Sequence, residues 1–167
     1  MPTPAYADFL DEDGGEIEGG VTIEDDRDIA QSCEVIEFEH DLYIPTDPQT
    51  GLPTGVRMHR PMKLVKTYDQ ASPILYQACC NGTTLESVTI RWYRIAADGT
   101  QEEYFNHLLE RVRISKIRAC MPNTKDPTKE MLTHLEEISM MYDKITWTFV
   151  DGAIETSDAW LGEAESE

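Results

Sequence analysis

Several features are missing from this 167-residue chain, and each absence argues against a class of protein. No apolar run approaches the ~18 residues that a membrane-spanning helix needs, so we expect no membrane insertion. The opening MPTPAYADFLDEDGG has neither a basic head nor an apolar core. It therefore lacks the pattern of a Sec-type signal peptide, and we expect the chain to be made and assembled in the cytoplasm.

Basic residues are scarce, at 14 Lys and Arg against 32 Asp and Glu, a formal net charge of −18. The acids concentrate at the two ends: residues 1–41 contain one base and residues 151–167 contain none. Nucleic-acid binding needs clustered Lys and Arg, so we expect no nucleic-acid partner. Length and composition predict a single domain over residues 1–160. Residues 161–167 are predicted to be an acidic, disordered tail.

Metal-binding and catalytic patterns are also absent. The four histidines include no pair at the i, i+4 spacing of a helical metal site, and the four cysteines form no C-x-x-C motif. Neither G-x-S-x-G nor H-E-x-x-H occurs. A Cys–His dyad from Cys79 or Cys80 is left open, because partners can meet in space. We expect no enzyme activity, no metal and no cofactor.

Alternating apolar and polar residues predict a mainly β protein. Glu34–Ile44 is predicted to be a half-exposed strand with Ile36 and Phe38 on the core face and Glu37 and Glu39 opposite. Further strands are predicted over 6–10, 20–23 and 86–95, with a hairpin turn at Asp98-Gly99 and a last short strand between Gly152 and Trp160. Residues 24–30 fit no element.

Two long apolar runs change parity partway along. In residues 102–120 the inward set shifts at Ser115-Lys116, and in residues 135–150 it shifts at Asp143-Lys144. A parity change within one strand indicates a β-bulge, and bulges bend sheets toward closure. We therefore predict a closed β-barrel of two antiparallel sheets.

One short α-helix is predicted at about residues 73–80. Ser72 offers an N-cap oxygen, Pro73 suits the first helical position, and Gly82 tolerates the left-handed turn that ends a helix. Ile74, Leu75 and Ala78 are predicted to form the inner face. A helix of about two turns is marginal by itself, so we expect it to dock on the barrel.

A long extended loop is predicted at about residues 44–61. It contains several prolines and glycines, and eighteen residues without structure of their own are uncommon inside a domain. Two interpretations are left open: a flexible surface excursion, or a segment held by a partner.

Several motifs in this order resemble the Hcp family, the hemolysin-coregulated proteins that build the inner tube of bacterial type VI secretion systems. The resemblance covers about residues 34–160, and its departure is the acidic segment 7–33. The motifs are PTDPQTGLPTGVRMHRP in the loop, Lys66…Asp69…Ser72-Pro73…Leu75, Trp92-Tyr93-Arg94, Asp126-Pro127-Thr128-Lys129-Glu130, and Lys144-Ile145-Thr146-Trp147 with Asp158…Trp160.

The resemblance implies a structural role. Six copies would form a homo-hexameric ring, and rings would stack into a hollow tube that a contractile sheath expels. The tube would carry effector proteins in its lumen, be capped by a VgrG-type spike protein, and end in the extracellular space or a target cell. Two rivals are kept: a monomeric chaperone-like binder of effectors, and a secreted effector with enzymatic activity.

The resemblance also implies site residues, because loops like 44–61 reach the neighbouring ring. Expected lumen-facing residues are Glu37 and Glu39, if their strand lines the channel. His59 has two interpretations, a contact with an acid of the neighbouring ring, which we favour, or a local cap of the loop. The expected ring-stacking residues are Thr46, Asp47, Gln49, Thr50, Thr54, Arg57, His59 and Arg60.

Overall fold

β-Strands dominate the structure, a computed structural model that describes residues 3–23 and 29–161. Within these residues there is one α-helix, α1 (Ser72–Asn81), and one 3₁₀ turn at Pro127–Lys129. No helix in the described part is long and apolar enough to cross a membrane. The strands are β1 (Ala5–Leu10), β2 (Glu16–Ile17), β3 (Cys33–Glu39), β4 (Leu42–Tyr43), β5 (Met58–His59), β6 (Met62–Thr67), β7 (Thr84–Ile95), β8 (Gln101–Cys120), β9 (Leu135–Met141), β10 (Lys144–Phe149) and β11 (Ile154–Ala159).

Six strands close into a barrel in the order β8-β7-β1-β3-β6-β9, with β9 pairing back onto β8. Every pairing is antiparallel. Because β8 is 20 residues long, its second half pairs with β9 while its first half pairs with β10, which carries β11. The predicted barrel with one helix is confirmed; the second sheet is small and consists of β4 and β5.

The two predicted parity slips have different structural causes. The pairing of β8 with β9 shifts between Ile114 and Lys116, so that bulge is confirmed. The second run is not one bulged strand; it breaks at Tyr142-Asp143 into β9 and β10. At the break the Asp143 N–H donates to the Glu110 carbonyl, 3.0 Å away, and its carboxylate binds Arg111 and Arg113. These contacts hold the chain beside β8 while it changes strand.

A third parity change lies in β3, where none was predicted. The pairing of β3 with β6 shifts between Val35 and Glu37. This bulge turns Val35 and Phe38 toward the core and leaves Ile36 42 % exposed, so the prediction of Ile36 on the core face was wrong. The strand also ends at Glu39 and does not run on to residue 44.

The N-terminal region is a hairpin. β1 lies where predicted, but residues 20–23 are not a strand; β2 pairs with the end of β1 instead, across a turn held by the Asp11 carboxylate. Most of the unassigned segment, residues 24–28, lies outside the described residues, as do residues 162–167 of the predicted tail.

Helix α1 begins and ends close to the prediction, with different contacts at its start. Ala71, not Ser72, is the N-cap residue, and Gly82 closes the helix at φ 67° as predicted. Leu75 and Ala78 are buried against the strands, whereas Ile74 is 46 % exposed and does not belong to the inner face.

The Ser72 hydroxyl is taken up by a buried network that we call the lysine network: Lys66, Asp69, Ser72 and Glu136. The Lys66 Nζ lies 2.7 Å from both Asp69 Oδ1 and Glu136 Oε1, and the Ser72 hydroxyl donates to Glu136 Oε1 at 2.8 Å. Burial by itself lowers the pKa of Lys66, but the hydrogen bonds to Asp69 and Glu136 raise it above its ordinary value. The network ties the start of α1 to β6 and β9.

Candidate assembly site: the arm and its root

Residues 42–59, which we call the arm, form a hairpin outside the barrel sheet. β4 pairs with β5, and the ladder continues through a bridge between Thr46 and Pro53. The Thr54 N–H donates to the Pro45 carbonyl at 2.8 Å, and the Asp47 N–H donates to the Leu52 carbonyl at 2.9 Å. The predicted extended loop is therefore present, and it also has backbone pairing of its own that was not predicted.

The tip of the arm is organised by one carboxylate. Asp47 accepts the Gln49 N–H at 2.9 Å and the Thr50 hydroxyl at 3.0 Å. The backbone bond from Gln49, with the Thr50 hydroxyl, holds the pKa of Asp47 below its ordinary value. Gly51 closes the turn at φ 70°, a conformation that favours glycine. The polar tip is thus preorganised before it meets any partner.

The arm exposes several large apolar side chains. Val56 is 79 % exposed and Leu52 65 %. Exposed apolar patches of this kind mark interaction surfaces on soluble proteins. The large exposed apolar residues of the arm are Leu42, Tyr43, Ile44, Leu52, Val56 and Met58.

Where the arm joins the barrel, five residues form a cluster that we call the root latch: His40, Arg57, His59, Tyr142 and Asp158. Arg57 holds the Asp158 carboxylate with two guanidinium nitrogens, one of them at 2.6 Å, and also donates to the Ala159 carbonyl. His59 Nε2 lies 2.8 Å from the same carboxylate. Two residues of the arm thus bind one acid of β11.

The other side of the latch is the Tyr142 hydroxyl, which lies 2.7 Å from His59 Nδ1 and 2.7 Å from His40 Nε2. Trp160 packs on the cluster, stacked on the His59 ring at 5.6 Å between centroids and edge-on to Tyr142 at 5.0 Å. The indole and phenol rings exclude water from the histidine, whose side chain has no exposed surface.

The electrostatics of the root latch favour an ionised Asp158 carboxylate and a protonated Tyr142 hydroxyl. The Arg57 hydrogen bonds, opposed by burial and assisted by His59, lower the pKa of Asp158 to about 2. Burial raises the pKa of Tyr142, so its hydroxyl keeps its proton. Burial also lowers the pKa of His40, with the His59 charge acting in the same direction.

The structure separates the predicted site residues into groups. Thr46, Asp47, Gln49, Thr50, Thr54 and Arg60 lie on or beside the arm and are exposed or half-buried. Arg57 and His59 instead face inward. Both nitrogens of His59 are engaged inside its own chain, an arrangement that fits the local interpretation of this residue. Glu37 and Glu39 are exposed on β3, and the Glu39 carboxylate lies 3.4 Å from the Lys63 Nζ.

Other chemistry finds little support in the described residues. Among them, no group of three or more His, Cys, Asp and Glu side chains could hold a metal ion. In the described part of the chain the ring nitrogens of His40, His59 and His107 bind Tyr142, Asp158 and Trp92, and none of them binds Cys79 or Cys80, the dyad that the sequence left open. Beside the arm lies an open cleft of about 350 Å³ with acids and bases on its walls, including Glu39, Arg60, Lys63 and Lys116.

Sequence reasoning missed the inner half of the root latch. His40, Tyr142 and Asp158 lie far apart in the chain, after β3, after β9 and in β11, and no local pattern connects Tyr142 or Asp158 to the arm. The one signal was the Asp158…Trp160 motif, which belongs to the resemblance described above.

Comparisons with known proteins agree on one family. The family model described as "Type VI secretion system effector, Hcp" matches residues 9–149. The chain is 40 % identical over 166 residues to the "Major exported protein" of Pseudomonas aeruginosa, covering 96 % of both chains. Its fold is similar to Hcp1 of the E. coli EAEC 042 pathovar (TM-score 0.83, 42 % identity, 95 % and 99 % covered) and to secreted Hcp3 of P. aeruginosa (TM-score 0.76, 33 % identity, 95 % and 99 % covered).

Proposed function

This chain belongs to the Hcp family of type VI secretion proteins, and from that premise we propose that it is a structural subunit of the secretion tube. Six copies form a ring, and rings stack into a hollow tube. A contractile sheath expels the tube, a VgrG-type spike protein caps it, and effector proteins travel in the lumen. Assembly takes place in the cytoplasm, and secretion delivers the tube to the extracellular space or a target cell. The mechanism is geometric and needs no cofactor.

The observation that carries this proposal is the arm. It combines a preorganised polar tip, a row of exposed apolar side chains and a root held by the barrel. A flexible excursion would need none of these. A hairpin that is ordered before binding loses less conformational entropy when it docks, so it suits a contact repeated along a tube. We assign to the arm the contact between stacked rings.

Ring formation follows the general geometry of self-assembly. A heterologous contact repeated around an axis gives a closed ring when the rotation between neighbouring subunits is a whole fraction of 360°. Stacking of rings needs a second, different surface. In the proposed tube the arm and its receiving surface supply that second contact. The exposed acids Glu37 and Glu39 are assigned to the lumen wall, where a polar surface binds passengers weakly enough to release them. Replacing both by Lys should change effector retention while hexamers persist; unchanged retention of every effector would contradict this assignment.

The experiment that tests the proposal is native mass spectrometry combined with negative-stain microscopy of the purified protein. We expect hexamers and annular particles that stack into short tubes. Stacks should lengthen as salt rises, because each subunit carries a formal charge of −18 and salt screens like-charge repulsion between rings. A lone 19.0 kDa species under all conditions would favour the monomeric binder instead.

Two substitutions separate stacking from ring closure. Val56→Asp places a charge on the exposed face of the arm, and we expect it to leave hexamers intact while reducing stacks at least tenfold. Met131→Asp is the matched control, since Met131 is 93 % exposed and lies outside the arm. Equal stacking by both variants would remove the arm from the proposed contact. Hydrolytic activity that appears on purified rings and vanishes with a single substitution would revive the enzymatic rival.

A further inference from the structure

The root latch places one hydroxyl between two histidines, and that arrangement restricts where protons can sit. Asp158 is ionised and only accepts hydrogen bonds, so His59 Nε2 carries a hydrogen and donates it to the carboxylate. In neutral His59 the other nitrogen, Nδ1, is then an acceptor and takes the Tyr142 hydroxyl hydrogen. The Tyr142 oxygen is left to accept from His40 Nε2. At neutral pH every donor in this chain of three rings has an acceptor.

The cluster can accept a first added proton if the donors and acceptors of its hydrogen bonds exchange roles. When His59 Nδ1 gains a hydrogen it donates to the Tyr142 oxygen, the phenol turns to donate to His40 Nε2, and His40 moves its own hydrogen to Nδ1. The new imidazolium lies 2.8 Å from the Asp158 carboxylate, which compensates its charge. The hydrogen bonds that hold the arm survive this step.

A second proton cannot be absorbed in the same way. Protonation of both rings directs two imidazolium N–H groups at one phenol oxygen, each at 2.7 Å. The phenol hydrogen then has no acceptor among the two rings, and two cations face each other across one atom. An unmade hydrogen bond at a buried group and a like-charge pair are both costly where water is excluded.

The surrounding charges do not remove this conflict. Asp158 already serves Arg57 and His59 from β11. Next to His40, the Asp41 carboxylate raises the pKa of His40. This effect is smaller than the lowering caused by burial and by His59. From the barrel, His107 of β8 interacts with His40 as a further group of positive sign when protonated. Trp160 contributes a stacked ring without charge.

The latch controls the arm because His40 lies just before β4 begins and His59 is the residue at which β5 ends. His59 pairs with Leu42 in the β4–β5 ladder, and the Arg60 N–H donates to the Asp41 carbonyl at 3.1 Å. The backbone on either side of this hairpin root is therefore joined to His59 and His40. Loss of the hydroxyl bridge removes the tie between the arm and Tyr142 of the barrel, so that only the contacts of Arg57 and His59 with Asp158 of β11 remain from the root latch.

We propose that His40, Tyr142 and His59 form an acid-operated release for the arm: uptake of a second proton breaks the shared hydroxyl bridge, loosens the arm from the barrel and weakens the contact between stacked rings. Tyr142 affects the arm through its hydrogen bond to His59, and His40 does so through its hydrogen bond to Tyr142; neither has a catalytic role in this release. The effect on stacking rests on the proposed function, whereas the release itself is a property of the single chain.

The experiment measures amide exchange of the arm by mass spectrometry, at about pH 7.5 and pH 4.5, corrected for the intrinsic pH dependence of exchange. Protein is held at a concentration where no stacks form. We expect arm-root amides, including that of Arg60, to exchange at least tenfold faster in acid. Ring ¹H–¹⁵N spectra of the four histidines then assign the titration to His40 and His59.

Three variants make the test specific. His40→Gln keeps a donor toward Tyr142 but does not titrate, so the acid midpoint of arm release should fall by at least one pH unit. Tyr142→Phe should loosen the arm at both pH values and flatten the profile. His134→Gln, at an exposed histidine away from the latch, should behave as the unmodified protein.

An acid midpoint unchanged in His40→Gln, or an unaltered pH profile in Tyr142→Phe, would overturn the release. The two proposals fail separately. Arm release in acid by a chain that never forms rings supports the release and removes the tube role. Rings that stack through arms whose exchange is independent of pH support the tube role and overturn the release.

Discussion

The lysine network and the root latch are both polar clusters in dry surroundings, and they differ in the kind of charge they contain. The first surrounds one lysine with two carboxylates, all fully or nearly fully buried. The second surrounds a hydroxyl with two histidines and ends in an arginine–aspartate pair. A lysine paired with carboxylates holds the barrel, whereas histidines make the attachment of the arm adjustable.

They also differ in which elements they join. The lysine network connects neighbours in the fold, because Lys66 and Glu136 are paired directly across β6 and β9. The root latch connects the ends of β3, β5, β9 and β11. The first therefore stabilises the barrel as a unit, while the second decides how one appendage is held on it.

The largest effect is expected from Lys66→Met, which leaves the Asp69 and Glu136 carboxylates buried without their cation. Loss of one partner of a buried ion pair costs about 3–5 kcal/mol of unfolding free energy. The matched control is Lys63→Met on the same strand, whose pair with Glu39 is half exposed and should contribute less than about 1 kcal/mol. Urea unfolding of both variants checks the difference, and similar midpoints would refute the structural role of the network.

A second prediction concerns His107, a titratable group inside the barrel wall. Burial, with the His40 charge acting alongside, lowers its pKa from 6.5 to about 4. Between these values the unfolded chain binds a proton that the folded chain does not, so stability falls as pH drops from 6.5 toward 4. The loss attributable to His107 is on the order of 3 kcal/mol.

His107→Gln should remove most of that loss, because an amide oxygen can still accept the Trp92 indole N–H that His107 Nδ1 accepts at 2.9 Å. Unfolding free energies of the variant and the unmodified protein at about pH 7 and pH 4.5 provide the comparison. If the unfolding free energies of the two proteins depend equally on pH, a group other than His107 is responsible for the loss of stability.

The smallest change in global stability is expected from Tyr142→Phe. The ring keeps its packing against Trp160, and only the hydroxyl between two histidines is lost. We expect about 1–2 kcal/mol by urea unfolding, the usual range for a buried hydrogen-bonding group left without its partner. Tyr43→Phe, at an exposed arm residue, should be neutral within error. A neutral Tyr142→Phe would show that the root latch contributes nothing to the folded state.

The barrel could be predicted from the sequence because its evidence is local. The alternation of apolar and polar residues can be seen within a single strand. The change in that alternation at Ser115-Lys116 therefore indicated a bulge even though the neighbouring strands were unknown. Ile36 was misplaced because the β3 bulge occurs within a short strand, where one shifted residue leaves too little alternation to detect. Ser72 was misassigned as a cap because its hydroxyl serves Glu136, a residue of another strand.

The root latch could not be predicted because, like the bond from Ser72 to Glu136, its contacts join residues that are distant in sequence. Its hydrogen bonds join residues 83 to 102 positions apart, and the polar identities of His40, Tyr142 and Asp158 carry no periodic signal. The arm itself was recognised by its prolines and glycines, but its hairpin pairing was missed because that composition resembles an unstructured loop.

The length of β8 has a mechanical consequence. A pull on the arm is transmitted through Arg57 and His59 to Asp158, hence to β11, then to β10 and β8. Each of these pairings spans six residue pairs, so the tension is distributed over many ladder bonds in parallel. The second half of β8 pairs with β9 and closes the barrel. Force on the arm therefore reaches the β8–β9 pairing through the continuous backbone of β8.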